Sequence, residues 1–478
     1  MPRRWKVLLV AATAFFMVGL DTTMMNVAFD ALVEDFPSTS QQFLAWVISG
    51  YVAVTAALLI AAGRTADLIG HRTVFLAGVL VFCTGAALAG IAPGPGALVS
   101  ARVVEAVGAA MVTPTSLALI LAEFPREQRG MAVGVWGGIG AFAASLGPSL
   151  GGLIVDDLGW RWIFAFPLPL GAAIVLGGVG VLPVDRVDRA GGRWPDPVGV
   201  VLSAVAIGGA ALAIVQSDAW GWLDGRMAGT LAVAVAAGAG FTLRTLHHPA
   251  SVLDPSLFRL PTFVTANIVT IVFGVAFAGM VLANVLFLQR IWGYSALGAG
   301  LGISPSPLSS TLAAPIGGRL ADRFGPRVVI VPSIATFLAG LLWLLLVVPD
   351  EPSYWTHWFP GALLFGTGIG GAFALLPAVS VRDVAPARYA VASAASQSAR
   401  LVAQVLGTAL VLGFTADAVG ADARGAFDRI YVILVVVNAV ALVIAAAGIP
   451  GRAAMVAARD PAATGAVGLA PTRAGPAA

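Results

Sequence analysis

Cysteine, lysine and charge are all scarce in this chain. Cys83 is the one cysteine among 478 residues, and Lys6 is the one lysine. A single thiol excludes an intrachain disulfide and a cysteine-ligated metal site. Only 11% of the residues are charged, against about 25% in an average soluble protein. With 59% hydrophobic residues and a mean hydropathy of +0.92, most side chains could not reach a shared core in water. The natural solvent for such a chain is a bilayer. The four histidines hold no ligand spacing, and His247 and His248 are neighbours in a polar stretch. No basic run is interleaved with aromatics, so the net charge of +3 gives no reason to expect nucleic acid as a partner.

Long apolar runs are what the chain has instead. A helix that crosses a bilayer needs about 20 mostly apolar residues. Fourteen segments qualify: 7–29, 43–62, 73–92, 97–121, 130–155, 162–182, 197–216, 227–244, 262–288, 296–316, 328–348, 357–380, 390–415 and 429–449. They are too long for barrel strands and none alternates with period two, so helices are expected. "MPRRWK" ahead of the first run has the look of a secretory leader. That run continues past Asp21 to Phe29, and is read as a retained span.

Placing the N-terminus inside puts 20 of the 27 basic residues on the inner side. Five lie outside (Arg161, Arg226, Arg290, Arg424 and Arg429), and Arg102 and Arg400 fall within spans. This asymmetry predicts an even count, with both termini cytoplasmic. The expected location is the cell membrane, taken as a bacterial cytoplasmic membrane. Segments seven and eight are the weakest, and twelve spans is the alternative. Leaving two such apolar runs in water is unfavourable at roughly 25 cal/mol per Å², which favours fourteen. The tail 453–478 is rich in Ala, Gly and Pro and reads as a disordered cytoplasmic segment.

Charge inside this oily chain is concentrated in two strings, "GRTADLIGHR" at 63–72 and "GRLADRFGPR" at 318–327. They match at Gly63/Gly318, Arg64/Arg319, Ala66/Ala321, Asp67/Asp322, Gly70/Gly325 and Arg72/Arg327. Arg323 lies within the second copy. A duplicated unit explains this, and setting segments seven and eight aside leaves six plus six. The expected division is a six-helix bundle at 1–183, two added helices at 184–255 and a second six-helix bundle at 256–452. Parallel halves are a known transporter plan. Glycine permits close backbone approach. Asp can receive the positive end of a helix, and Arg binds carboxylate or lipid phosphate. Such strings suit a latch on the cytoplasmic side.

These strings resemble the loop between the second and third helices of each half in the major facilitator superfamily, in its fourteen-span drug/proton antiporter branch. The first copy departs from the usual pattern at Thr65, Leu68 and His71. "LDTTMMNVAF" (20–29), "ARVVEAVGAAMVTPTSLALI" (101–120), "GPSLGG" (147–152) and "WRWIF" (160–164) resemble further motifs of that branch. Glu105 and Ala106 stand where Gln and Gly are usual, and Pro167 where Asn is frequent. The resemblance covers residues 5–450. It implies the all-α major facilitator fold and a proton-coupled exporter of small lipophilic or cationic molecules. Protons would be the coupling ion, with no other cofactor, and the partners would be the bilayer and the small-molecule substrate. The chain is expected as a monomer.

Asp21 and Glu105 are the two acids within spans. A charged Asp at a helix centre costs about 2.5–3.5 kcal/mol on insertion scales, so each should have a partner, a wet cavity or a proton. The resemblance assigns Asp21 to the central cavity, near substrate and proton. Arg102 and Glu105 are three residues apart and share a face. They form either a neutralising pair or a site where Glu105 exchanges Arg102 for a proton. Arg400 and Gln404 share a face of segment thirteen, and Arg400 either works in the cavity or reaches for the inner surface. Gly147, Pro148, Gly151 and Gly152 predict either plain close packing or a kinked seam between the halves. "SPSP" at 304–307 is a second candidate kink. Asn26, Trp46, Tyr51, Asn284 and Gln289 are candidate cavity liners. An apolar cavity with one acid would take lipophilic cations.

Other readings remain open at this point: an exporter dedicated to one metabolite or antibiotic, or a receptor that has lost transport. The spans offer no nucleophile–base set, which argues against an enzyme. Nor is there a P-loop string to bind nucleotide.

Overall fold

The computed structural model describes residues 1–183, 196–216, 220–221, 224–248, 255–294, 296–415 and 423–451. The tail 453–478 lies outside the described residues, as do Arg186, Arg189, Arg193 and Arg452 of the charge tally. The side chains of Asn26 and Pro148 also lie outside the described set.

Helix occupies each of the fourteen predicted segments, and no strand occurs among the described residues. Lipid offers no hydrogen bonds, so a spanning backbone must satisfy its own. The first group comprises α1 (Arg3–Val27), α2 (Trp46–Ile69), α3 (His71–Gly90), α4 (Pro95–Glu123), α5 (Arg129–Leu158) and α6 (Pro167–Val181). Then come α7 (Pro197–Val215) and α8 (Gly225–His247). The second group comprises α9 (Pro261–Arg290), α10 (Pro305–Phe324), α11 (Arg327–Leu346), α12 (Phe359–Phe373), α13 (Tyr389–Thr415) and α14 (Ala423–Gly448). Segment ten is broken at Ser304, the first residue of "SPSP", with the helix Ala296–Ile303 ahead of α10.

Among the described residues, ten helices are long and apolar enough to cross a membrane by composition alone. α5, α7, α10 and α13 fall outside that set. Polar side chains on two of these helices are buried: Ser310 on α10, and Ser393, Ser396, Gln397 and Ser398 on α13. The outer surface shows the inverse. Leu176 is 78% exposed, Leu346 75% and Val235 71%. Exposure of many large apolar side chains across several helices suits a surface that meets lipid.

α3 packs on α4, and α1 on α4, α5 and α6. In the second group α9 packs on α13 and α14, and α11 on α12 and α14. α7 and α8 pack on each other, and α7 leans on α2 and α13. The two most extensive crossings between the groups are α2 with α13 and α5 with α10, with smaller ones of α4 on α13 and α5 on α12. In a six-helix register α2 corresponds to α10 and α13 to α5. The two most extensive crossings are therefore equivalent under the internal repeat. An apolar cluster joins both groups near the end that carries the repeated strings, here termed the Arg-rich end. Leu8, Phe124 and Trp136 meet Phe263, Tyr389 and Ala390 in it.

Gly70 and Gly325 end α2 and α10 with φ of 107° and 95°. Side-chain-bearing residues rarely adopt that conformation. Gly70→Ala and Gly325→Ala are each expected to cost about 1–3 kcal/mol, seen as a lower thermal unfolding midpoint in detergent. Gly229→Ala, in α8 with open space around it, is the control and is expected to leave the midpoint unchanged or raise it.

Candidate functional site

Asp21 of α1 meets Arg102 and Glu105 of α4 in a sealed cluster. The three are 4%, 1% and 0% exposed. Arg102 Nη1 donates to Asp21 Oδ1 at 3.0 Å and Oδ2 at 2.9 Å, and to Glu105 Oε2 at 2.7 Å. Its Nε donates to the Val47 carbonyl at 3.2 Å. The Tyr51 ring faces the guanidinium, 4.1 Å from its carbon. Glycines let α4 sit this deep. A β-carbon at Gly85 of α3 would lie 2.6 Å from Glu105 Cα, and one at Gly108 would lie 2.7 Å from the Gly78 carbonyl oxygen. Two carboxyls thus share one guanidinium where water does not reach.

A cavity of about 370 Å³ lies beside this cluster, between the two groups. Phe15, Trp136, Phe277 and Phe373 give it aromatic walls, and Thr22, Tyr51 and Thr113 are among its polar lining residues. Tyr51 belongs to both places, with its ring on Arg102 and a position in the cavity lining. Arg400 is the one charged side chain among the described lining residues, with Gln397 and Gln404 beside it on α13. A second chamber of about 240 Å³ shares Phe277, Ser310 and Ile369 with the first and runs on to Asn284 and Trp358.

At the Arg-rich end the two strings make equivalent contacts. Asp67 accepts from the first N–H groups of α13, Ala390 at 3.1 Å and Val391 at 3.0 Å. Asp322 accepts from the first N–H groups of α5, Gly130 and Met131, both at 2.8 Å. The glycine four residues before each Asp brings the helices together. A β-carbon at Gly63 would lie 2.7 Å from the Ala390 carbonyl oxygen, and one at Gly318 would lie 2.7 Å from Met131 Cα. Each helix N-terminus carries partial positive charge, so carboxylate and helix end attract across the halves. His71 adds a contact to Asp67 Oδ1 at 2.9 Å. Arg129 Nη1 donates to the Tyr389 hydroxyl at 2.7 Å, tying α5 to α13.

The arginines of the strings act elsewhere. Arg72 donates to the Val179 carbonyl on α6 at 2.6 Å, and Arg323 lies over Phe324. Arg327 is exposed at the start of α11, and Arg64 Nε is buried without a hydrogen-bond partner among the described residues. Asp196 caps α7 through Val198 and Gly199 N–H and pairs with Arg244 of α8. The hydrogen bond from Arg244 holds its carboxyl below the usual carboxylate range, and the pair staples the two added helices together.

Several expectations change against this geometry. Asp21 was expected as an acid in the cavity, but Arg102 draws it off, and the cavity carries a cation instead. Of the expected liners, Tyr51, Arg400 and Gln404 line the cavity. Trp46 and Gln289 stand at the ends of α2 and α9, away from it. Asn284 lines the second chamber and accepts from the Tyr431 hydroxyl at 3.0 Å. Asn26 lies outside the described side chains. The glycine-rich stretch of α5 is a seam, but not between the halves. Gly147 faces Thr23 and Gly151 faces Met24, both on α1, while Gly152 meets only Val27 at 3.9 Å. Close approach across the halves comes from Gly130 and Gly134 of α5 against α10. Pro148 lies outside the described side chains. Sequence reasoning missed Trp136, Gln397, Arg129 and Tyr389. Gln397 carried a signal, since it stands three residues before Arg400 and shares its face.

Comparison with known proteins agrees with this architecture. The family model described as Major Facilitator Superfamily matches residues 11–193 and 266–474. The chain is 32% identical over 420 residues to the tetracenomycin C resistance and export protein of Streptomyces glaucescens, covering 87% of this chain and 77% of that protein. It is 32% identical over 407 residues to the multidrug resistance protein Stp of Mycobacterium tuberculosis (strain CDC 1551 / Oshkosh), covering 84% and 74%. Its fold is similar to that of the human organic anion transporter MFSD10, with a TM-score of 0.67 and 13% identity over 93% of this chain and 100% of that one. This multi-pass membrane chain belongs to the major facilitator superfamily.

Proposed function

We propose that the chain is a proton-coupled exporter of small lipophilic molecules, working by alternating access. The observation that carries this reading is the buried cluster of two carboxyls on one guanidinium. With both acids ionised the cluster holds a net negative charge out of water, at a penalty of several kcal/mol. One proton on either acid restores neutrality, so the cluster is a one-proton switch. Tyr51 links it to the cavity where a substrate would sit. The names of the relatives, resistance and export of tetracenomycin C and multidrug resistance, support export as the direction.

In this reading residues 1–183 and 256–452 are two bundles that rock about the cavity, and the pair at 184–255 is an insertion. The Arg-rich end faces the cytoplasm, with both termini, and the structure is closed on that side. The coupling ion is the proton, with no other cofactor. Inward movement of one charge across 100 mV yields about 2.3 kcal/mol.

The test uses the purified chain in liposomes with an acidic lumen, and follows accumulation of a panel of lipophilic dyes. Glu105→Gln or Asp21→Asn leaves one acid facing Arg102, which fixes the charge of the protonated cluster. Each variant is expected to lose gradient-driven accumulation at least tenfold while still equilibrating dye downhill. Undiminished accumulation in both variants would sink the proposal.

A further inference from the structure

The cavity has a chemical preference that its sequence motifs do not convey. Arg400 sits about 17 Å along α13 from its first residue, at 1.5 Å per residue, near the middle of a hydrocarbon core about 30 Å thick. It lines the cavity, and its Nε is buried without a hydrogen-bond partner among the described residues. Among the described residues no acid lines the cavity, and Asp21 and Glu105 are both held by Arg102. Gln397 and Gln404, three before and four after Arg400, present amides on the same face. The opposing walls are the aromatic rings of Phe15, Trp136, Phe277 and Phe373. A buried guanidinium without a counter-charge is costly, and a planar donor set of this kind matches carboxylate, sulfonate or phosphate.

We infer that the cavity binds an amphipathic organic anion, its acidic group on Arg400 between Gln397 and Gln404 and its flat apolar body against the aromatic walls. This reverses the cation preference that an acid-lined cavity would have had. It rests on the reading of the chain as a proton-coupled exporter only for the transport half of the test.

Three probes separate charge from shape. 8-Anilinonaphthalene-1-sulfonate is the anion, N-phenyl-1-naphthylamine is the same body without the sulfonate, and ethidium is a cation. Binding to the full chain in nanodiscs is measured by equilibrium dialysis, and dye-dependent proton movement in proteoliposomes by a lumenal pH indicator. The sulfonate is expected to bind at least tenfold tighter than either other dye. Arg400→Gln is expected to remove that preference, weakening the sulfonate at least tenfold with little effect on the neutral dye. Arg400→Lys keeps part of it. Equal or tighter binding of ethidium or the neutral dye to the wild-type chain overturns the inference, and needs no variant. So does sulfonate binding within twofold of wild type in Arg400→Gln. Arg400-dependent sulfonate binding with no proton movement for any dye would leave the anion site standing and remove the exporter reading. Proton movement with ethidium that ignores Arg400 would do the reverse.

Discussion

Replacing both acids of the buried cluster, Asp21→Asn with Glu105→Gln, is expected to destabilise the chain by about 3–5 kcal/mol, the cost of stranding one partner of a buried ion pair. Either single replacement is expected to cost much less. Each leaves Arg102 with one carboxylate, a neutral pair that resembles the cluster with its proton bound. The double replacement leaves a guanidinium 1% exposed with no counter-charge. Neighbouring groups in one network do not add, and the size of the departure is the information sought. Thermal unfolding of the wild type, the two singles and the double in one detergent gives the cycle. A double variant no less stable than the sum of the singles would mean that the acids do not share Arg102. Arg102→Gln supplies the complementary arm. It leaves two acids that can each take a proton, so its stability is expected to recover as pH falls, whereas that of the double does not.

The same cluster shows what a sequence can and cannot disclose. Fourteen helices were legible because lipid imposes a length and a polarity on every crossing, and the Arg bias was visible for the same reason. Asp21, Arg102 and Glu105 could be singled out one by one, since a charged residue in a hydrocarbon span demands an explanation. That Arg102 would reach Asp21, 81 positions away, was not legible. It depends on Gly85 and Gly108 letting α4 sink against α3. Glycines announce close approach without naming the neighbour, which is also why Gly147 and Gly151 left plain packing and a seam between the halves both open, when their neighbour is α1. The partners of Asp67 left no trace either. They are backbone N–H groups at 390 and 391, and a main-chain donor has no residue type to recognise.

The largest conformational effect is expected from the glycines of the Arg-rich end. A side chain at Gly318 meets the Gly130 carbonyl and Met131 Cα, and one at Gly63 meets the Ala390 carbonyl and Ala394 Cβ. Most of these obstacles are backbone, which cannot rotate away, so Gly318→Val and Gly63→Val must separate α5 from α10 and α2 from α13. Separation also breaks the carboxylate contacts with the helix ends, and hydrogen bonds to charged groups are worth about 1.5–3 kcal/mol each. At 1.4 kcal/mol per factor of ten, loss of one such bond shifts the balance between closed and open forms by about tenfold or more. Asp67→Ala with Asp322→Ala removes four such bonds without the steric clash and leaves the glycine packing in place, and is expected to shift the same balance toward the open form. Cys83 is the only native thiol, so Cys83→Ala gives a background for spin labels at Ile69 and Phe324, both exposed at the ends of α2 and α10. The wild-type chain is expected to show one short distance there. Either valine variant is expected to show a dominant longer one, and the double Asp variant a mixture. If the valine variants keep the wild-type distance, the glycines are packing residues alone and the Arg-rich end is not a closure.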